Sequence, residues 1–251
     1  MKNSAHNPAL SYAAFTLIEL LTVIAIIGIL AALLLPALAA VQKHAQITKA
    51  RLQVKEIATD IQGYDNAYSR FPISDNAQAA AIAAGSDLTY GGTFQTPAGP
   101  PMTVGTLVAA AVLNNAEVIA ILMNATSYGN GLPTVNANYV KNPQRTIFLT
   151  PRMTGDTSSP GVGMDGVYRD PWGNPYLISM NLGTVGLCQD SFYKSPIVSA
   201  GGLNGLVLQP DGNYAARTSV MVWSAGPDKL IDPTSPANAG VNKDNILSWT
   251  Q

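Results

Sequence analysis

The sequence predicts an α+β chain: one long N-terminal α-helix, membrane-crossing and then amphipathic, packed on a small antiparallel β-sheet head. Three observations predict it. From Leu20 to Gln42 no residue is charged. An apolar stripe at helical spacing follows directly. After Pro72 the chain breaks into short apolar runs separated by glycine, proline, serine, threonine and asparagine.

The first element is "FTLIELLTVIAIIGILAALLLPAL", residues 15–38. As a helix, Leu20–Gln42 spans roughly 34 Å at about 1.5 Å per residue, enough for a hydrocarbon core of about 30 Å. A cleaved secretory signal is an alternative, with Ala37, Ala39 and Ala40 offering small residues for the cut. Against it, Glu19 stands where a signal carries lysine or arginine, and the helical pattern continues past Ala40. Ile47, Ala50, Val54, Ile57, Ile61, Tyr64 and Tyr68 are spaced alternately three and four apart, a stripe on one helix face. Lys49, Arg51, Gln53, Lys55, Asp60 and Gln62 occupy the rest. One helix is therefore expected from about Thr16 to about Ser69, stopped by Arg70–Pro72 because the residue before proline disfavours the helical region. A helix of that length is a membrane-anchored stalk that packs against other stalks.

In the head, helical character is expected at Gln78–Ala84 and, as a pair or one kinked helix, across Thr106–Asn124. "TYGGTFQTPAGPPM" reads as turns and loop. Strands are expected within Arg145–Leu149, Pro175–Asn181, Asn204–Pro210 and Ser219–Gly226. Asp170–Pro175, "DPWGNP", is a tight reversal that orders the following strand.

Composition limits function. Of 251 residues only 12% are charged and 47% are hydrophobic, with a formal net charge of -1. Half the usual charge share suits a surface covered by lipid or by copies of the chain, and no basic run argues for nucleic acid. The single cysteine, Cys188, excludes an intrachain disulfide and a zinc site of several thiolates; it reads as a small buried side chain. After residue 14 the only histidine is His44, which removes a Ser-His-Asp triad. "GVGMDG", residues 161–166, follows no predicted strand and opens no predicted helix, so it is no dinucleotide fingerprint. Asp165 and Asp170 read as solvated loop aspartates rather than an acid–base pair. Enzyme function is not expected.

Glu19 raises the sharpest question, because an ionised side chain in a bilayer costs about 2.5–3.5 kcal/mol and needs a partner. No lysine or arginine lies within helical reach. A free α-amino group would serve if the chain were cut before Phe15. Here the segment resembles the N-terminus of the type IV pilin superfamily. The resemblance implies cutting at Ala14–Phe15 by a prepilin peptidase and methylation of the new amine. It makes Glu19 the fifth mature residue, Gly28 the fourteenth and Pro36 the twenty-second, all assembly positions of the family. Ala14 departs from the usual glycine, and Lys2 is the only fixed charge of the leader, residues 1–14. The resemblance implies a transmembrane half at 15–42, an amphipathic half at 43–70 and a pilin-like head at 71–251.

"YRDPWGNPYLI", "VMVWSAGPDK" and "NKDNILSWTQ" resemble more narrowly the major pseudopilin family of type II secretion, with residues of about 73–167 as an added insert. The family implies self-assembly into a filament, an inner-membrane assembly platform, minor pseudopilins, and a head in the periplasm. It also implies a calcium ion, for which this chain offers Asp228, Asp232, Asp244 and Asn245, with Lys229 and Lys243 beside them. The alternatives are a type IV pilus subunit, many of which close a loop with a disulfide that one cysteine cannot make, and a membrane-tethered adhesion or binding module.

Overall fold

The computed structural model describes residues 16–183 and 186–250, and they form the expected α+β arrangement. Helix α1 runs unbroken over Leu17–Tyr68, through Gly28 and through Pro36. Two compact units are distinguished, one ending at Ala45 and one beginning at Gln46. In the first, the whole apolar helical face is exposed, Leu17 to Val41 included. In the second, Ala50, Val54, Ile57, Ile61 and Tyr64 are completely buried, and Ile47 and Tyr68 pack beside them. The stripe read from the sequence is the inner face of α1.

Helix α2, Asp75–Ala84, is capped by the Ser74 hydroxyl, which accepts from the Ala77 amide. It ends at Gly85, whose left-handed backbone (φ 58°) suits a residue without Cβ. Strand β1, Leu88–Tyr90, leads into the hairpin β2–β3, Gly92–Phe94 with Met102–Val104. A second hairpin, β4–β5, pairs Leu107–Val108 with Ala111–Val112, and helix α3 follows at Ala116–Leu122. Two expectations are corrected here. The loop of "TYGGTFQTPAGPPM" contains strands, and only the end of Thr106–Asn124 is helical. Ala109 and Ala110 turn the chain at φ 48° and 67°, a conformation that alanine adopts reluctantly. It is held because the Thr106 amide donates to Thr89, Leu113 to Thr106, and Gly91 to Leu113. Arg145–Leu149 is also corrected: it forms no strand, since the Phe148 and Leu149 amides both donate to the Leu122 carbonyl at the end of α3.

Strands β6, Gly161–Val162, and β7, Tyr168–Arg169, form a small ladder. Strands β8, Leu177–Met180, β9, Val207–Leu208, β10, Tyr214–Ala215, β11, Val220–Ser224, and β12, Ile246–Leu247, complete the chain. The main sheet is antiparallel in the order β1-β8-β11-β12. Its two central strands are buried on both faces, with side chains alternating between two cores, as the pleat requires. Ile178, Met180, Val220 and Val222 join the core under α1, whereas Leu177, Met221 and Trp223 join a second core with Phe192, Tyr193 and Cys188. In that second core Trp223 stacks on Phe192, 5.4 Å between centroids, and meets the edge of Tyr193 at 5.1 Å.

The outer edge of β1 is not left open. Thr89 donates its amide to the Thr106 hydroxyl and accepts from the Thr106 amide, and Gly91 donates to Leu113.

Candidate functional site

The segment around Glu19 is built by its own short sequence, T-x-x-E. Thr16 stands just before α1 and Glu19 lies in its first turn. The Glu19 Oε2 atom accepts from the Thr16 amide at 2.9 Å and from the Thr16 hydroxyl at 2.7 Å, while the Glu19 amide donates back to that hydroxyl at 3.3 Å. This is a reciprocal capping box, which satisfies helix-end donors that otherwise lack partners. Sequence reasoning missed Thr16, although T-x-x-E before an apolar run is the signal for it. The donor is the Thr16 amide, so the box does not depend on residues before Phe15. Both bonds fall on one carboxylate oxygen.

Gly28 and Pro36 lie within α1, and a Cβ at Gly28 would touch nothing within 4 Å. Ala14 and Phe15 lie outside the described residues. By length and composition α1 is able to cross a membrane, and none of its most apolar window is buried.

In the head, Asp170 corrects the reading of a solvated loop aspartate. It is fully buried and accepts from the amides of Trp172 and Asn174, the Asn174 side chain and the Ser224 hydroxyl at 2.6–3.2 Å. Burial raises its pKa against the pull of these donors. "DPWGNP" is thus a turn folded around its own first residue and bolted to β11. Asp165 is paired with Arg169 at 2.6 Å. Cys188 is buried, and burial pushes its thiol well above its usual pKa, which makes it a poor nucleophile.

The four calcium candidates do not converge as a cage: among the described residues no three His, Cys, Asp or Glu side chains gather to hold a metal. The Asp232 carboxylate is taken up by the Thr234 amide and the Thr234 and Ser235 hydroxyls. Asp228 accepts from the Leu230 amide in the turn after β11. Gly226 opens that turn at φ 75°, and a Cβ there would lie 2.5 Å from the Asp244 carbonyl, so the turn and the Asp244–Asn245 segment touch. The Asn245 side chain donates to the Tyr193 hydroxyl at 2.9 Å, while its oxygen is buried without a hydrogen-bond partner. Their oxygens are the kind of donor a hard cation takes, but the three aspartates among them do not gather at one point.

Residues 11–35 match the family model described as the prokaryotic N-terminal methylation motif. No curated protein and no solved structure matches the chain. The motif, with one long apolar N-terminal helix and small antiparallel sheets behind it, supports a type IV pilin-like protein that is a substrate of the prepilin-peptidase kind.

Proposed function

We propose that this chain is the structural subunit of a type II secretion pseudopilus. The leader stays in the cytoplasm, α1 crosses the inner membrane, and the head stands in the periplasm. Prepilin peptidase cuts at Ala14–Phe15 and the amine of Phe15 is methylated. The subunit then joins an inner-membrane platform and minor pseudopilins in a short filament that helps move folded proteins outward. Glu19 carries this reading. Its carboxylate is costly in lipid, is held ready by Thr16 through one oxygen, and gains a cationic partner when a neighbour's Phe15 amine arrives. The choice of a secretion filament over a pilus rests on the resemblance of Asp170–Tyr176, Ser224–Asp228 and Asp244–Trp249. A calcium ion held at Asp228, Asp244 and the Asn245 oxygen belongs to the same proposal, its role there being to tie the turn after β11 to the C-terminal segment.

The mass of the mature N-terminus tests processing. Methylated Phe15 is expected; a start after Ala39 or Ala40 would mean an ordinary secreted protein. Glu19→Leu should leave processing intact and abolish filaments seen by electron microscopy, and normal filaments from that variant would sink the assembly mechanism.

A further inference from the structure

A cavity of about 260 Å³ lies beside the edge of β1, between the end of α2, the β3–β4 turn and the turn at 189–194. Its chemistry is mixed. Asp87 brings a carboxylate, Lys194 an ammonium, Ser191 and Thr106 hydroxyls, and Ala84 and Leu107 exposed apolar surface. The turn that carries Ser191 and Lys194 is fixed by Asp190, which is completely buried. The Asp190 carboxylate accepts from the Phe192 and Tyr193 amides, the Ser179 hydroxyl and the Trp223 indole, and its carbonyl accepts from the Lys194 amide. Ser191 and Lys194, three apart on one helical turn, therefore share a side. The Ser191 amide donates to the Thr89 hydroxyl, but the Ser191 hydroxyl is buried without a hydrogen-bond partner. A buried orphan of that kind marks a place where a partner is expected.

Asp87 is half-buried, and its carboxylate accepts from the Leu182 and Gln189 amides at 3.1 and 2.7 Å. Burial raises its pKa, while these amides and the Lys194 ammonium pull it down. The ion pairs among the described residues are Lys141–Asp75 and Arg169–Asp165, so Asp87 and Lys194 act on each other without pairing. The Thr106 hydroxyl accepts from the Thr89 amide and keeps its own proton to give. We infer that this cavity binds one neutral sugar ring. An anion would meet Asp87 and a cation would meet Lys194, so a guest without net charge is favoured. Among neutral groups a hydroxyl donates and accepts at once. One sugar hydroxyl gives its proton to Asp87 and takes one from Lys194, and its neighbours on the ring serve Ser191 and Thr106. The C–H face of the ring rests on Ala84 and Leu107, the usual division of a small-molecule site into apolar wall and few polar contacts. The room is that of a single ring and not of an extended chain. Binding here goes beyond the filament reading and needs neither cleavage before Phe15 nor assembly.

Saturation-transfer NMR on the full chain in detergent tests the site. The probes are the methyl glycosides of glucose, galactose, mannose and N-acetylglucosamine, with glycine and succinate as charged controls. Transfer to at least one glycoside at millimolar concentration is expected, and none to glycine or succinate. Ser191→Ala removes a hydroxyl that nothing in the chain uses. It should leave the melting temperature unchanged or raise it, yet weaken the glycoside about tenfold, as the loss of one hydrogen bond does. Lys194→Met should weaken it at least as much. No transfer to any glycoside, transfer to glycine as strong as to the sugars, or a sugar affinity untouched by Ser191→Ala or by Lys194→Met would each overturn the site. An unmethylated Phe15 or missing filaments would leave these readings unaltered.

Discussion

Asn115 does the work of a strand without being in one. Completely buried, it donates from its side chain to the carbonyls of Tyr168 and Tyr176 and accepts from the Tyr168 amide, all at 2.8–2.9 Å. Replacing it by leucine takes the partner from the Tyr168 amide and the Tyr176 carbonyl, each worth about 1–3 kcal/mol when left unmade, while the Tyr168 carbonyl keeps the Tyr176 amide. Asn115→Leu should therefore lower stability by roughly 2 kcal/mol or more, measured by denaturant unfolding of the full chain in detergent. Asn142 acts likewise, accepting from Tyr68 and Thr146 and donating to Ile121 and Thr146. Neither role was legible in the sequence: Asn115 fell inside a stretch read as helical, and Asn142 stands before Pro143, where asparagine signals a turn. Glu19 was legible because a carboxylate in an apolar run has few explanations, and Thr16 was legible in principle from the spacing alone.

Helix α1 shows why one kind of pattern can be read and another cannot. Its stripe has the period of the helix itself, so the buried face followed from spacing before any partner was known. The β4–β5 hairpin has no such local signature. "LVAAAV" favours helix by propensity, and only three hydrogen bonds from outside it hold Ala109 and Ala110 in left-handed backbone. The central strands were found as largely apolar runs, but their second buried face was not, because such a run does not name what covers each side. Asp60 gives this helix a pH dependence. Its folded pKa, about 6, lies above its ordinary 3.8, so the folded chain binds the proton more tightly than the unfolded one. Stability should then be greatest below the ordinary value and fall as pH rises toward about 6. Asp60→Asn should flatten that part of the profile, read as the difference between variant and parent melting curves at pH 4 and 7.

For the molecule as a whole, residues 73–167 are no detachable addition to the head. They supply β1 to the main sheet, α3 to the core, and Phe148 to an aromatic cluster with Tyr64 and Tyr68 at the end of α1. Tyr64 donates to the Lys141 carbonyl and Tyr68 to the Asn142 side chain, which fasten the segment further. Calcium is expected to act at this scale too. Adding it to the full chain should raise the melting temperature by a few degrees, chelator should reverse the gain, and Asn245→Asp should enlarge it by adding a carboxylate. An unchanged melting temperature in both proteins would remove the ion from the proposal.

The bonds that occupy the outer edge of β1 have a consequence for crowding. A buried strand such as Leu177–Met180, apolar but for Ser179, if it bordered solvent, would be a template for cross-β growth between neighbours. With β1 laid over it, and β1 in turn closed off by Thr106 and Leu113, this edge of the main sheet offers a neighbouring copy side chains and no free backbone ladder.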